Sequence, residues 1–169
     1  MSTPVRQTLL SPHNLTLLIT ALFAIIADQV SKRLIEDLMP VGTSAYPVSA
    51  IAPYFIFTHT QNTGAAFSMF QNGGMFFIVV GIVVCGVILF YTPRLPAKDW
   101  QTRLALGLQM GGIIGNLIDR LRQGYVTDFF HFQIPEIDFN FAVFNVADSC
   151  IFVGVVLLII ISFWRERNA

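Results

Sequence analysis

Seventeen consecutive positions, Met75–Tyr91, read MFFIVVGIVVCGVILFY, without a single charged or amide side chain. A helix that is apolar all round has no face to offer water, so this stretch belongs inside a large core or inside a bilayer. Three further runs of comparable length, Leu15–Ile35, Leu104–Leu121 and Val146–Trp164, are apolar apart from polar residues gathered toward one end. A span needs about 20 residues and tolerates about 17–25. Charged residues make up 12% of the chain and mean hydropathy is +0.66, against about 25% charged in soluble domains. The expectation is an all-α membrane protein with four transmembrane helices in one membrane domain covering 1–169.

A short apolar run preceded by Arg6 also fits a cleaved leader ending near Ala24–Ala27. Against that, Asp28-Gln29-Val30-Ser31-Lys32 continues the helical pattern, which is useful only in a retained helix. Orientation follows from Lys and Arg. Arg6, Arg94, Lys98, Arg103, Arg165 and Arg167 fall on one side; Lys32, Arg33, Arg120 and Arg122 fall on the other, together with eight of the ten acids. Both termini are therefore expected in the cytoplasm, with the loops Glu36–Gly74 and Arg122–Asn145 outside. Zero net charge gives no basic face for nucleic acid. Cys85 and Cys150 fall within spans and read as packing residues. His13, His59 and His131 have no metal-ligand spacing, so neither metal nor cofactor is expected.

Along the chain, Met1–Asn14 with its two prolines reads as a loosely ordered tail. Asp28 and Lys32 share a helix face at a four-residue spacing. In the first outer loop, Tyr46–Ile51 and Tyr54–Thr60 are β-branched and aromatic runs expected to form short strands. Gln61–Ser68 is rich in small residues and reads as a turn. Gly107, Gly111 and Gly115 recur every four residues with Gly112 adjacent, a small-residue face that lets membrane helices approach closely. Gly124 is expected to end that helix, and Arg122–Asn145 to follow as an aromatic loop broken by Pro135.

Depth brings the polar residues together. At about 1.5 Å rise per residue, Asp148 stands about 24 Å above Trp164, and Asp119 about 24 Å above Arg103. Asn116 and Asp28 come out near 20 Å above the cytoplasmic ends of their helices. In a hydrocarbon core of about 30 Å these groups share one level just inside the outer surface. Asp128, four residues past Gly124, can return to that level. Ionisable residues at such depth read as functional. Two carboxylates held close do not both ionise easily, so Asp128 and Asp148 form a candidate pair in which one activates water and the other donates a proton. Asp148 lies in the first turn of the last helix, whose dipole favours its anion.

Five strings occur in order: DQVSK at Asp28–Lys32, NTGAAF at Asn62–Phe67, GNLIDR at Gly115–Arg120, VTDF at Val126–Phe129 and FNVADS at Phe144–Ser149. Together they make the chain resemble the bacterial signal peptidase II family of membrane aspartic peptidases, over nearly its whole length. The resemblance implies a small β-rich extracytoplasmic cradle on four spans, in the bacterial inner membrane. It implies cleavage of prolipoproteins on the amino side of a diacylglyceryl-modified cysteine, at the lipid boundary, by a monomer without cofactor. By the same resemblance Asp128 and Asp148 are the catalytic pair. Asp28, Lys32, Asn62, Gly64, Asn116, Asp119, Arg120 and Asn145 support it or contact substrate. Thr127 is a departure, because an apolar residue is the more usual occupant there.

Two other classes fit the residues less well. A small proton-coupled transporter would use Asp28, Asp119 and Asp148 as a relay, but these side chains cluster at one depth and Met75–Tyr91 offers none. A noncatalytic assembly protein would use the polar cluster only to lock the bundle.

Overall fold

A computed structural model of the chain describes residues 8–9, 11–64 and 73–168. Residues 1–7 and Leu10 of the expected tail, and the Ala65–Ser68 part of the small-residue turn, lie outside the described residues. The elements run α1 (Leu15–Leu38), β1 (Ser44–Ala45), β2 (Phe55–Asn62), α2 (Gly74–Tyr91), α3 (Trp100–Gln123), β3 (Val126–Ile134), β4 (Phe139–Asn140) and α4 (Val146–Arg167). Helix α1 runs unbroken through Ala27, where a leader would have ended.

Among the described residues, three helices are long and apolar enough to cross a membrane. They are α1, α2 with the short turn that extends it to Arg94, and α4. Helix α3 is as long as α1, but Arg103, Gln109, Asn116, Asp119 and Arg120 dilute its apolar character. It is instead the central helix, packed between α1 and α4. Its glycines make this packing close. A methyl group at Gly111 would stand 2.6 Å from the Ala21 carbonyl oxygen of α1, and one at Gly112 would collide with the Ala147 carbonyl of α4. Gly154 does the same from α4, where a methyl group would stand 2.6 Å from the Ala105 carbonyl oxygen of α3. Helix α2 lies outside this trio and packs through Gly81 on Ile113 and Leu117. Leu17, Ala21, Ile88 and Met110 form the buried apolar cluster.

Apart from the helices stands a four-stranded antiparallel sheet in the order β1-β2-β3-β4, so the expected β-rich part is present. Two local expectations change. Of the run expected as a strand at 46–51 nothing pairs: only Ser44–Ala45 does, and Ser49–Ile51 forms a 3₁₀ turn. Pro47 has no N–H for a ladder, and the segment is exposed, with no apolar face to bury. Conversely, the stretch expected as loop contains β3, the longest strand. The polar Thr127 and Asp128 precede its aromatic run and disguise the strand's start.

Gly124 ends α3 in the left-handed region at φ +83°, a conformation glycine adopts without strain. The chain therefore turns back within two residues. Strand β3 begins against the helices, and Val126–Phe129 are all buried. Its register with β2 sets Asp128 opposite Thr60 and Val126 opposite Asn62, beyond an irregularity between Phe57 and Thr60.

Candidate active site

Three elements supply the centre of the site: the buried start of β3, the N-terminus of α4 and the C-terminal half of α3. Asn145 is the N-cap of α4. Its side-chain oxygen accepts from the Asp148 N–H at 2.9 Å, and its own N–H donates to Asp148 Oδ2 at 3.3 Å. This reciprocal capping box fixes the Asp148 carboxylate at the helix start. Asn116 Nδ2 donates to Asp148 Oδ1 at 2.8 Å.

Asp128 is 2% exposed. Asn62 Nδ2 donates to its Oδ2 at 2.9 Å and Asn145 Nδ2 donates to its Oδ1 at 2.6 Å. Asn145 therefore bonds to both aspartates. Burial, and then the negative charge of Asp148, push the Asp128 carboxyl up to about 7, against the opposing effect of its two amide donors.

Behind this pair lies a buried ionic cluster. Lys32 Nζ stands 2.9 Å from Asp28 Oδ2, 2.9 Å from Asp119 Oδ2 and 2.9 Å from Asn116 Oδ1, which it donates to. Each of its three donors thus has an acceptor. Asp28 Oδ1 accepts from the Ala147 N–H of α4 at 2.9 Å, and Asp119 Oδ2 accepts from the Thr127 N–H of β3 at 3.2 Å. A charged cluster without exposure holds only when its lone pairs and protons are used in this way. A methyl at Gly115 would stand 2.5 Å from Asp28 Oδ2, so this glycine leaves the space for the carboxylate.

Arg120 takes a separate part. Its guanidinium donates to the Gly64 carbonyl at 3.0 Å and lies 5.0 Å from the Phe77 ring centroid. Gly64 is also held by its own N–H, which donates to Asn62 Oδ1 at 2.9 Å. All ten expected residues therefore meet in one connected set. Asp128, Asp148, Asn62, Gly64, Asn116 and Arg120 also line one cavity of about 910 Å3, whose remaining wall is apolar except for Ser149 and includes Phe132, Phe141, Ile151 and Phe152. Lys32, Asp28 and Asp119 stay behind it. Among the described residues, no three His, Cys, Asp or Glu side chains gather as a metal ion would require.

Gln29 was not singled out by the residue pattern, yet its amide donates to Asp28 Oδ2 at 3.2 Å, Asp119 Oδ1 at 3.0 Å and the Gly115 carbonyl at 3.2 Å. The signal for it was its place inside the DQVSK string. Arg103, which entered the sequence reading only as a cytoplasmic charge, is buried and donates to Asn14 Oδ1 and to the carbonyls of Leu95, Pro96 and Asp99.

The family model described as signal peptidase (SPase) II matches residues 20–164. The chain belongs to the signal peptidase II family. A lipoprotein signal peptidase of Caldanaerobacter subterraneus is 46% identical over 80% of this chain and 88% of its own length. One of Coxiella burnetii is 43% identical over 83% and 85%, respectively. A bacterial membrane enzyme solved by the in meso method at 2.3 Å superposes with a TM-score of 0.79 at 28% identity, covering 96% of this chain and 94% of the solved one. Family membership and three span-length apolar helices make this a membrane-embedded peptidase. The transporter alternative has no support in any of these likenesses.

Proposed function

We propose that this signal peptidase II is an aspartic endopeptidase in which Asp128 and Asp148 hydrolyse the peptide bond on the amino side of a diacylglyceryl-modified cysteine. Removal of signal peptides from lipoproteins follows from the family and from relatives named for that activity. The aspartic chemistry rests on one observation: two carboxylates tied together through Asn145 face a single large apolar cavity.

In the resting state Asp148 is the anion and Asp128 holds the proton. Asp148 takes a proton from water as the water oxygen attacks the carbonyl carbon. Asp128 gives its proton to the carbonyl oxygen, which avoids building an unscreened oxyanion. When the tetrahedral gem-diol collapses, Asp128 recovers a proton from one hydroxyl. Asp148 passes its proton to the cysteine nitrogen as the C–N bond breaks. Both carboxyls end as they began, and no covalent intermediate, metal or cofactor takes part. Arg120 and Asn116 line the same cavity and are suited to hold the substrate backbone.

On this reading α3 is a fourth span, its polar face turned to α1, α4 and the site rather than to lipid, and the whole chain is one membrane domain. Both termini are cytoplasmic and the cradle faces outward from the bacterial inner membrane, with the dyad near the outer leaflet where the acylated cysteine resides. One copy of the chain supplies every group in the site, which supports action as a monomer. The test is the purified protein with a diacylglyceryl-modified precursor. Asp128→Asn and Asp148→Asn are expected to abolish cleavage while inserting and melting as folded proteins. Full turnover by either would overturn the dyad, and equal cleavage of unmodified precursor would overturn the lipid requirement.

A further inference from the structure

A second, smaller cavity of about 260 Å3 also reaches Asp128. It shares Asn62, Gly64, Asp128 and the segment 141–143 with the large cavity, so the two meet at the dyad, while Asp148 lines only the larger one. Their walls differ in chemistry. The large cavity is built from phenylalanines of the sheet and aliphatic residues of α4; the small one is built mostly from the hydroxyls and amides of Thr60, Gln61, Asn62, Thr63 and Asn140.

Some of these groups are already committed. Asn62 bonds to Asp128 and to the Gly64 N–H, and Thr60 Oγ1 reaches the Asp128 carbonyl at 3.5 Å. No hydrogen bond within the described residues engages the side chains of Gln61, Thr63 or Asn140, and all three are exposed. They are free to bond to something else. The volume lies below the about 300–1,000 Å3 of small-molecule pockets, which suits a residue or two of an extended chain rather than a whole ligand.

We propose that this small cavity is the subsite for the residues that follow the cysteine in the mature protein, and that it selects hydroxyl and amide side chains there. The inference rests on the reaction proposed above and adds to it where the product chain goes. At the scissile bond the substrate changes character. The signal segment and the acyl chains are apolar and belong in the large cavity. The chain beyond the cysteine must leave the bilayer for water, and the small polar cavity is the opening at the dyad whose chemistry matches it. Because Gln61, Thr63 and Asn140 are exposed, an apolar substrate leaves them to water, and the discrimination is the modest net worth of direct hydrogen bonds.

The experiment uses the full-length enzyme and two diacylglyceryl-modified precursors differing only at the two residues that immediately follow the cysteine, Ser-Asn in one and Ala-Ala in the other. The unaltered enzyme is expected to favour Ser-Asn in kcat/KM by about three- to tenfold, the worth of one or two neutral hydrogen bonds. The preference should lie in KM and should disappear in Gln61→Leu/Asn140→Leu. Equal kcat/KM for both precursors with the unaltered enzyme would overturn the subsite. So would a preference that survives the double substitution, or a loss confined to kcat and equal for both precursors, which would mark the opening as a water route. Failure of the enzyme to cleave either lipidated precursor would instead sink the underlying reaction, so the two failures are distinct.

Discussion

Asn145 Nδ2 lies 2.6 Å from Asp128 Oδ1, so the residue that caps α4 also holds the carboxyl carried by β3. Cap and carboxyl alignment are thus one arrangement: the helix start cannot shift without moving Asp128 relative to Asp148. Asn116 Oδ1 accepts from the same amide at 3.2 Å and from Lys32 at 2.9 Å, which extends the arrangement into the buried ionic cluster.

Substituting Asn145 separates the two roles. Asn145→Ala should lose the cap, about 0.5–2 kcal/mol, and also the donor to Asp128. Asn145→Asp keeps a good capping oxygen but sets a carboxylate against Asp128. The expected result is that Asn145→Asp melts closer to the parent than Asn145→Ala does, while both lose activity on the order of 10²-fold, as for removal of an oriented donor. If Asn145→Asp cleaved at the parental rate, the amide would have no part beyond the cap.

The raised Asp128 carboxyl gives a stability test with a definite sign. Its proton is held up to about 7 in the folded protein, whereas in the unfolded chain an aspartate releases it near pH 3.9, about the model-peptide value. Between those limits the folded state binds more protons, so this group's contribution to stability declines as pH rises from about 4 to about 7 and is flat beyond. Asp128→Asn cannot titrate. The melting difference between parent and Asp128→Asn should therefore move toward the variant across that window, and parallel melting curves from pH 4 to 8 would refute it. On the proposed mechanism turnover needs Asp128 protonated and should fall as pH rises past about 7.

Much of this arrangement was legible from residues alone. Helix periodicity put Asp28, Asn116, Asp119 and Asp148 at one depth, and the glycine spacing marked a face of α3 for close helix approach, because both follow from a fixed rise and turn. What the pattern did not reveal depends on pairing between distant segments. Strand β3 was missed because its buried start carries Thr127 and Asp128, polar residues that an isolated strand would not bury. The dual role of Asn145 was hidden because a cap is local while its bond to Asp128 spans a crossover from sheet to helix. The family strings named these residues without saying what held them.

Lys32 is buried and lies between two carboxylates. Lys32→Met preserves most of the side-chain volume but leaves Asp28 and Asp119 without their common cation. Removing one partner from a buried ionic set costs about 3–5 kcal/mol, so the variant should melt well below the parent or fail to accumulate. Lys32→Met/Asp119→Asn removes one of the stranded charges and should recover part of that loss. No recovery in the double variant would mean that the lysine acts on something other than these acids.

Thr127, the departure from the usual apolar occupant, is buried and bonded at every polar atom. Its hydroxyl donates to Glu36 Oε1 at 2.8 Å and accepts from Gln123 Nε2 at 3.0 Å. Its N–H donates to Asp119 and its carbonyl accepts from Asn145 Nδ2 at 3.4 Å. The residue next to Asp128 is thereby pinned to α1, α3 and the cap of α4. Thr127→Val keeps shape and loses the hydroxyl, at a cost of about 1.5–3 kcal/mol for a bond to a charged acceptor. Glu36 keeps its bond to Arg122 at 2.7 Å, which limits the damage to the strand. The expected outcome is a lowered melting point and a lowered kcat with KM little changed. Thr127→Ser should restore both. A Thr127→Val enzyme that melts lower yet turns over at the parental kcat would make the hydroxyl a matter of stability alone.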